Sequence, residues 1–205
     1  MAEWISALLR RSGSVREVGA GQALVNLAES WLEQGVRETE GSNAGPDVSW
    51  LIHDGGGTPS KRPPWCAYFV SSCCRQVERC GYGVEYVTTG RAVSHWQKAS
   101  EGARILPDDV WNEDPRGLVM VRTRLSKPVG EAEKARSGIS RQGHTGLVVA
   151  LDLESTPRKV VMVSGNSSGH GHSRVSGSGA VAREVITEGD DAWDRLVGFV
   201  RVCDP

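Results

Sequence analysis

The spacing of hydrophobic residues in the first half of the chain is that of helices. Apolar side chains recur every three to four positions over residues 22–35 and 65–77, which predicts two amphipathic helices. The same spacing over shorter stretches predicts two further helices near residues 48–52 and 93–99. Loops rich in glycine and proline separate these segments, so we expect each helix to be a distinct element.

The second half of the chain has a strand-like pattern. Runs rich in β-branched residues predict strands at 118–121, 145–151, 159–163, 180–186 and 196–202. Helices followed by consecutive strands are typical of an α+β domain with helices packed on an antiparallel sheet. We therefore predict one domain over residues 22–205, with an N-terminal extension at 1–21. The polar stretch 123–142 lies between two strands and predicts a flap or long loop.

Composition and charge exclude several classes of protein. Of the 205 residues, 39% are hydrophobic and 24% are charged, which is typical of a globular chain with a packed core. The net charge of -1 gives no electrostatic reason to expect nucleic acid or anionic lipid as the main partner. No apolar run approaches the ~18 residues that a membrane span needs. Glu3 occupies the region where a secretion signal is positively charged, so we expect synthesis in the cytoplasm without a signal peptide.

One of the five cysteines stands in a position that favours chemistry. The cysteines contain no CxxC pair, and we expect them to be reduced thiols. Cys66 follows Pro63, Pro64 and Trp65 at the first turn of a predicted apolar helix. Free backbone N–H groups and the helix dipole at that end favour a thiolate. The ordinary alternative is a small core residue.

Two polar residues in the predicted sheet could complete a nucleophilic site with Cys66. His144 opens one predicted strand, and Asn166 follows the next strand. If these strands are neighbours, the amide oxygen of Asn166 can accept the second imidazole N–H and select the tautomer of His144. Taken singly, each is an ordinary residue of a strand end or turn. Together with Cys66 they form the arrangement of an activated cysteine nucleophile.

Three motifs occur in an order that resembles a known family. They are PWCAYFVSSC, GHTGLVV and VSGN, preceded by GVRETEGSNAGPDVSWL. This order resembles the CHAP family of cysteine, histidine-dependent amidohydrolases and peptidases, relatives of NlpC-type cell-wall peptidases in the papain-like clan. The resemblance runs from about Leu24 to Val202. It implies a papain-like fold in which Cys66 is the nucleophile, His144 the general base and Asn166 the residue that orients it. It requires no metal or organic cofactor.

The resemblance implies cleavage of amide bonds in bacterial peptidoglycan. The bond would join muramic acid to L-alanine, or lie within the stem peptide or its cross-bridge. Without a signal peptide, the protein would reach the wall through lysis, a phage particle or an injection machine, as a phage lysin or a delivered antibacterial effector. Two alternatives stay open: deamidation or transamidation of a host protein, and a non-catalytic part of a phage tail. Ser164, also a possible auxiliary residue of the cleft, keeps the last alternative open, because family members often carry an acidic residue at that position.

Several weaker candidates surround this predicted site. Trp65 is predicted either to form a cleft wall or to pack on the core where the helix begins. Glu38 and Asn43 either brace the cleft or are solvated turn residues. His170 and His172 form an HxH pair without an acidic or cysteine partner at ligand spacing, which favours a glycine-rich loop over a metal site.

Overall fold

The structure is a computed structural model that describes residues 18–124, 131–138, 142–167 and 179–205. The helices in these ranges are α1 (Ala20–Glu33), α2 (Pro46–Asp54), α3 (Cys66–Arg79), α4 (Ala92–Lys98) and α5 (Glu131–Arg136). Short 3₁₀ helices cover Pro59–Lys61, Glu101–Ala103 and Pro107–Asn112. The strands are β1 (Arg104–Ile105), β2 (Leu118–Thr123), β3 (Gly143–Asp152), β4 (Lys159–Ser167), β5 (Ala180–Thr187) and β6 (Leu196–Arg201).

The six strands form one antiparallel sheet with the order β1-β6-β2-β3-β4-β5. Because side chains alternate along a strand, the sheet contributes to a hydrophobic cluster on each face. One cluster joins Val119, Leu147 and Val163 to apolar residues of α1, α2 and α3. The other contains Met120 and Met162, along with the 3₁₀ helix Pro107–Asn112. The predicted α+β class with helices packed on an antiparallel sheet is confirmed.

The first turn of α3 packs closely against the end of β4. A Cβ atom added at Gly165 would lie 2.5 Å from the ring of Trp65 and 2.8 Å from the Cβ of Phe69. Real side chains do not approach so closely, so glycine is needed where β4 passes the start of the helix. This contact places Cys66, the first residue of α3, beside the ends of β3 and β4.

The stretch predicted as a flap, residues 123–142, contains a packed helix. Ala135 of α5 is fully buried, and the Arg136 guanidinium donates to the backbone oxygen of Val197 at 2.7 Å. Gln97 of α4 donates to the Ala135 oxygen at 2.9 Å. The prediction of a long loop was therefore wrong for 131–136. Only Ala132 and Ala135 of this helix are in the set of buried apolar residues, and two positions are too few to show a helical period in the sequence. Residues 125–130 and 139–141 lie outside the described residues.

The other predicted elements are present with small shifts at their ends. Helix α1 begins at Ala20, inside the segment assigned to the N-terminal extension, because Gly21 packs against Arg116 and Pro205. Residues 1–17 of that extension lie outside the described part of the chain. Strand β1 was not predicted, since a pair of residues carries no readable alternation. Among the described residues, no helix combines the length and apolar character needed to cross a membrane.

Candidate active site

Cys66 is buried at the first turn of α3, with 4% of its surface exposed. Burial raises the pKa of its thiol, but a hydrogen bond and the charge of His144, the charge of Arg124 and a backbone hydrogen bond at Thr145 lower it. Together these partners lower the pKa by more than burial raises it, so the pKa of Cys66 lies below its ordinary value. A buried thiol with these partners favours the thiolate, the nucleophilic form.

His144 lies at the start of β3, opposite Arg122 of β2, and is 3% exposed. Its Nε2 lies 2.8 Å from Glu184 Oε1 and 3.1 Å from Ser164 Oγ. Its Nδ1 lies 3.3 Å from the guanidinium of Arg124. Burial lowers the pKa of His144, but hydrogen bonds to Cys66 and Glu184 and their negative charges raise it above its ordinary value. The imidazolium is therefore favoured beside the thiolate.

Glu184 of β5 is the carboxylate partner of His144, and the sequence analysis did not identify it. It is 3% exposed, and its Oε1 accepts from Ser164 Oγ at 2.5 Å. Its Oε2 accepts from Arg122 Nη2, also at 2.5 Å. Burial raises the pKa of Glu184, but the bonds to His144, Arg122 and Ser164 hold it far below its ordinary value. Glu184 is thus a carboxylate that fixes and stabilises a protonated His144.

Only the register of three strands brings Glu184 to His144, 40 positions away in the chain. Strand β3 pairs with β4, and β4 pairs Met162 with Glu184 of β5. One signal was available in the sequence: Glu184 is in phase with Ile186, an inward position of an alternating strand. A carboxylate at such a position needs a buried partner. The serine at 164, where the family often has an acid, was a second sign that the carboxylate came from elsewhere.

Asn166 does not take the orienting position predicted for it. The Nε2 atom of His144 contacts Glu184 and Ser164, as described above. Asn166 has a left-handed backbone, with φ of 56°, at an irregularity of the β4–β5 pairing between Ser164 and Ser167. The predicted strand ended at 163, whereas β4 continues to Ser167 with this kink inside it. Asn166 still lines the same cavity as His144.

The auxiliary candidates divide into packed residues and turn residues. Trp65 has no exposed surface, so the prediction of a cleft wall was wrong and its alternative, packing on the core, is what the structure has. Its indole N–H donates to Glu38 Oε1 at 3.0 Å, so Glu38 braces the residue before Cys66. Asn43 is half-buried in a turn with φ of 53° and is not among the cavity-lining residues.

No metal centre is formed in the part of the chain that the structure describes. No group of three His, Cys, Asp or Glu side chains there is arranged to hold a metal ion. His170 and His172, the HxH pair considered above, lie outside the described residues.

A polar cavity of about 190 Å³ opens over the imidazole. Its lining residues are Arg122, Thr123, Arg124, His144, Asn166, Ser167 and Arg195. Comparisons with protein-family models, with curated proteins and with solved structures found no match for this chain. A buried thiol, an imidazole raised in pKa and an ionised carboxylate can together carry out nucleophilic acyl transfer.

Proposed function

We propose that this protein is a cysteine hydrolase that cleaves amide bonds of bacterial peptidoglycan, with a papain-like fold similar to that of the CHAP family. The observation that carries the proposal is the buried chain of contacts from Cys66 through His144 to Glu184. Each member has the pKa direction that a thiolate–imidazolium pair oriented by a carboxylate requires.

In the proposed reaction, the Cys66 thiolate attacks the carbonyl carbon of the amide and forms a C–S bond. Backbone N–H groups at the start of α3 have no partner within the helix, and that of Cys66 stabilises the negative oxygen of the tetrahedral intermediate. Because Nε2 of His144 is held by Glu184 and Ser164, Nδ1 is the nitrogen that exchanges protons. It protonates the leaving amine as the C–N bond breaks.

The second half of the reaction returns the enzyme to its first state. His144, now neutral, takes a proton from water, and the resulting hydroxide attacks the thioester carbon of the acyl-enzyme. The C–S bond breaks, the carboxylic acid product leaves, and the proton on His144 restores the ion pair with the thiolate. Glu184 stays ionised throughout and holds the ring in one orientation.

Glu184 also bears on the non-catalytic alternative. That alternative rested on Ser164, which stands where the family often carries an acidic residue. In this chain Ser164 Oγ donates to the Glu184 carboxylate, which reaches His144 from the neighbouring strand. The carboxylate is therefore displaced by one strand, not lost, and this supports an active site.

The choice of peptidoglycan rests on the family resemblance, with a phage lysin or a delivered effector as the proposed setting. Its test is digestion of purified peptidoglycan by the wild-type protein, by Cys66→Ala and by Cys80→Ala, with mass analysis of the fragments. Cys80 lies just beyond the other end of α3 and is the matched control. We expect new amino termini or free lactyl groups with the wild type and Cys80→Ala, and none with Cys66→Ala.

The same samples separate the alternatives. An intact wall with all three proteins would contradict peptidoglycan hydrolysis. Release of ammonia from glutamine-containing proteins, dependent on Cys66, would then favour the deamidase alternative. If Cys66→Ala digests the wall as well as the wild type, the assignment of the nucleophile is wrong.

A further inference from the structure

The cavity above His144 carries more positive charge than its catalytic chemistry uses. Arg122, Arg124 and Arg195 all line it. Only Arg122 is bound to the Glu184 carboxylate, through Nη2 at 2.5 Å. The side chain of Arg195 is anchored by its Nε to the backbone oxygen of Asp191 at 2.8 Å. Among the described residues, no carboxylate forms an ion pair with Arg124 or Arg195.

The arginines are close enough to act on one another. The charges of Arg195 and Arg124 both lower the pKa of Arg122, beyond the larger effect of its burial. Asp190 also acts on Arg122, but its carboxylate already accepts the backbone N–H groups of Ala192 and Trp193. With His144 protonated and Cys66 ionised, four positive charges (Arg122, Arg124, Arg195 and His144) face three negative ones (Glu184, Cys66 and Asp190), and a substrate anion would balance the difference.

Arg124 brings this charge to the reacting atoms. Its Nη2 lies 3.3 Å from His144 Nδ1, the nitrogen proposed to transfer protons. When His144 is protonated, two cations face each other at this distance, and the Cys66 thiolate beside them offsets part of their repulsion. A substrate anion bound to Arg124 would therefore lie close to the nitrogen proposed to transfer protons.

We propose that Arg124 and Arg195 bind a carboxylate of the substrate that lies next to the scissile amide. This inference rests on the proposed function and narrows its substrate class to amides flanked by a free acid. The planar guanidinium of arginine suits a carboxylate because it offers paired N–H donors. Such a carboxylate can belong to the acyl side, as in a γ-linked glutamyl amide, or to the leaving amino acid.

Two pairs of synthetic stem peptides distinguish these sources. In the first pair, the α-carboxylate of a γ-linked D-glutamyl residue is free or converted to a carboxamide. In the second, the C-terminal residue beyond the scissile bond is a free acid or a carboxamide. We expect one pair to show a preference for the acid of about 10- to 100-fold in kcat/KM, the range of a charge-assisted hydrogen bond.

Arg124→Gln and Arg195→Gln should reduce that preference by slowing cleavage of the acid peptide more than cleavage of the carboxamide. Arg124→Gln should also slow both peptides, because Arg124 lowers the pKa of Cys66 and contacts His144. Arg158→Gln is the matched control. Arg158 directly precedes the first residue of β4, whereas the cavity lies at the last residues of that strand, and Arg158 pairs with Glu188. Equal rates on acid and carboxamide in both pairs, or an unchanged preference in both cavity variants, would overturn the inference and leave the hydrolase proposal standing.

Binding separates the two proposals when no peptide is cleaved. The Cys66→Ala protein is titrated with the same four peptides by calorimetry, with and without Arg124→Gln. Tighter binding of an acid peptide that needs Arg124 supports anion recognition, even where the absence of cleavage contradicts the hydrolase. Equal affinity for acid and carboxamide contradicts anion recognition as well.

Discussion

The first and third turns of helix α3 each contain a buried cysteine, Cys66 and Cys73, and the pKa values of the two thiols are shifted in opposite directions. Burial raises the pKa of Cys73 well above its ordinary value, and the charges of Cys74 and Asp54 raise it further. At Cys66, burial acts in the same direction but His144, Arg124 and Thr145 outweigh it. The helix and the burial are shared, so the partners decide which cysteine is a nucleophile.

Two buried histidines give the same contrast. Burial lowers the pKa of His95 to about 4, with only the backbone of Ala67 opposing it. Its Nε2 has no hydrogen-bond partner among the residues that the structure describes. His144 is as deeply buried, yet the bonds to Cys66 and Glu184 raise its pKa. A buried imidazole is therefore uncharged unless anions surround it.

Thiol alkylation is the most direct way to test the difference between Cys66 and Cys73. At neutral pH we expect iodoacetamide to modify Cys66 more than about 100-fold faster than Cys73, because only the thiolate reacts. His144→Ala should remove most of this advantage. Peptide mass mapping of the alkylated protein over time measures both rates. Similar rates at the two cysteines in the wild type would mean that Cys66 is not activated.

Replacing Glu184 tests whether its carboxylate causes the difference in pKa between His144 and His95. Glu184→Gln keeps the shape but removes the charge that stabilises the imidazolium, so we expect kcat to fall by about 100-fold or more. Glu188→Gln is the matched control, because Glu188 directly follows β5 and pairs with Arg158 outside the site. The readout is peptide cleavage as a function of pH. If the rate falls equally at every pH and the alkaline limb of the profile stays in place, Glu184 has a merely structural role.

The pH dependence of the wild type follows from the shifted groups. Activity should rise as pH passes the lowered pKa of Cys66 and fall as it passes the raised pKa of His144, so the active range is wider than ordinary values allow. In Glu184→Gln the alkaline limb should move to lower pH by about one unit, a tenfold change in the ionisation equilibrium. Initial rates from pH 4 to 10 measure it. An unmoved alkaline limb would contradict the coupling.

The same groups predict the pH dependence of stability. The lowered pKa of Glu184 contributes stability above the ordinary carboxyl pKa of 4.5, which is lost as pH falls through the folded-state value. The raised pKa of His144 contributes stability below its ordinary value of 6.5, which is lost as pH rises through the folded-state value. Urea unfolding of the wild type and Glu184→Gln at pH 3, 5 and 9 tests both signs. Equal pH dependence in the two proteins would contradict the assignment to Glu184.

Gly165→Ala should give the smallest effect, because it acts on Cys66 through Trp65. The added methyl group would lie 2.5 Å from the Trp65 ring, so the first turn of α3 must shift. We expect a loss of about 1–3 kcal/mol in the free energy of unfolding, typical of overpacking. A several-fold slower alkylation of Cys66 should accompany it. Gly102→Ala is the control, since a Cβ there meets nothing within 4 Å.

The sequence predicted the elements of the fold better than the completed site. Hydrophobic periodicity located α1 to α4, and runs of β-branched residues located five of the six strands of the described sheet, because both signals are local in the chain. Cys66 and His144 were found from local motifs, and the structure brings them together. Glu184 was missed because its proximity to His144 depends on the pairing of three strands. Asn166 received its role as a residue following a strand and from the family resemblance, whereas the structure has it inside β4 with a left-handed backbone.

Strand β5, which supplies Glu184, is the last strand of the described sheet: one side pairs with β4, and on the other side only its start is bonded through the backbone, to residues 36–38, among the residues described. Terminal strands are among the first segments to open by local unfolding. A transient detachment of β5 would withdraw the carboxylate from His144 while the core beneath α3 stays intact. On gentle heating, catalytic inactivation should therefore precede global melting, and amide hydrogen exchange along β5 should rise at the same temperature.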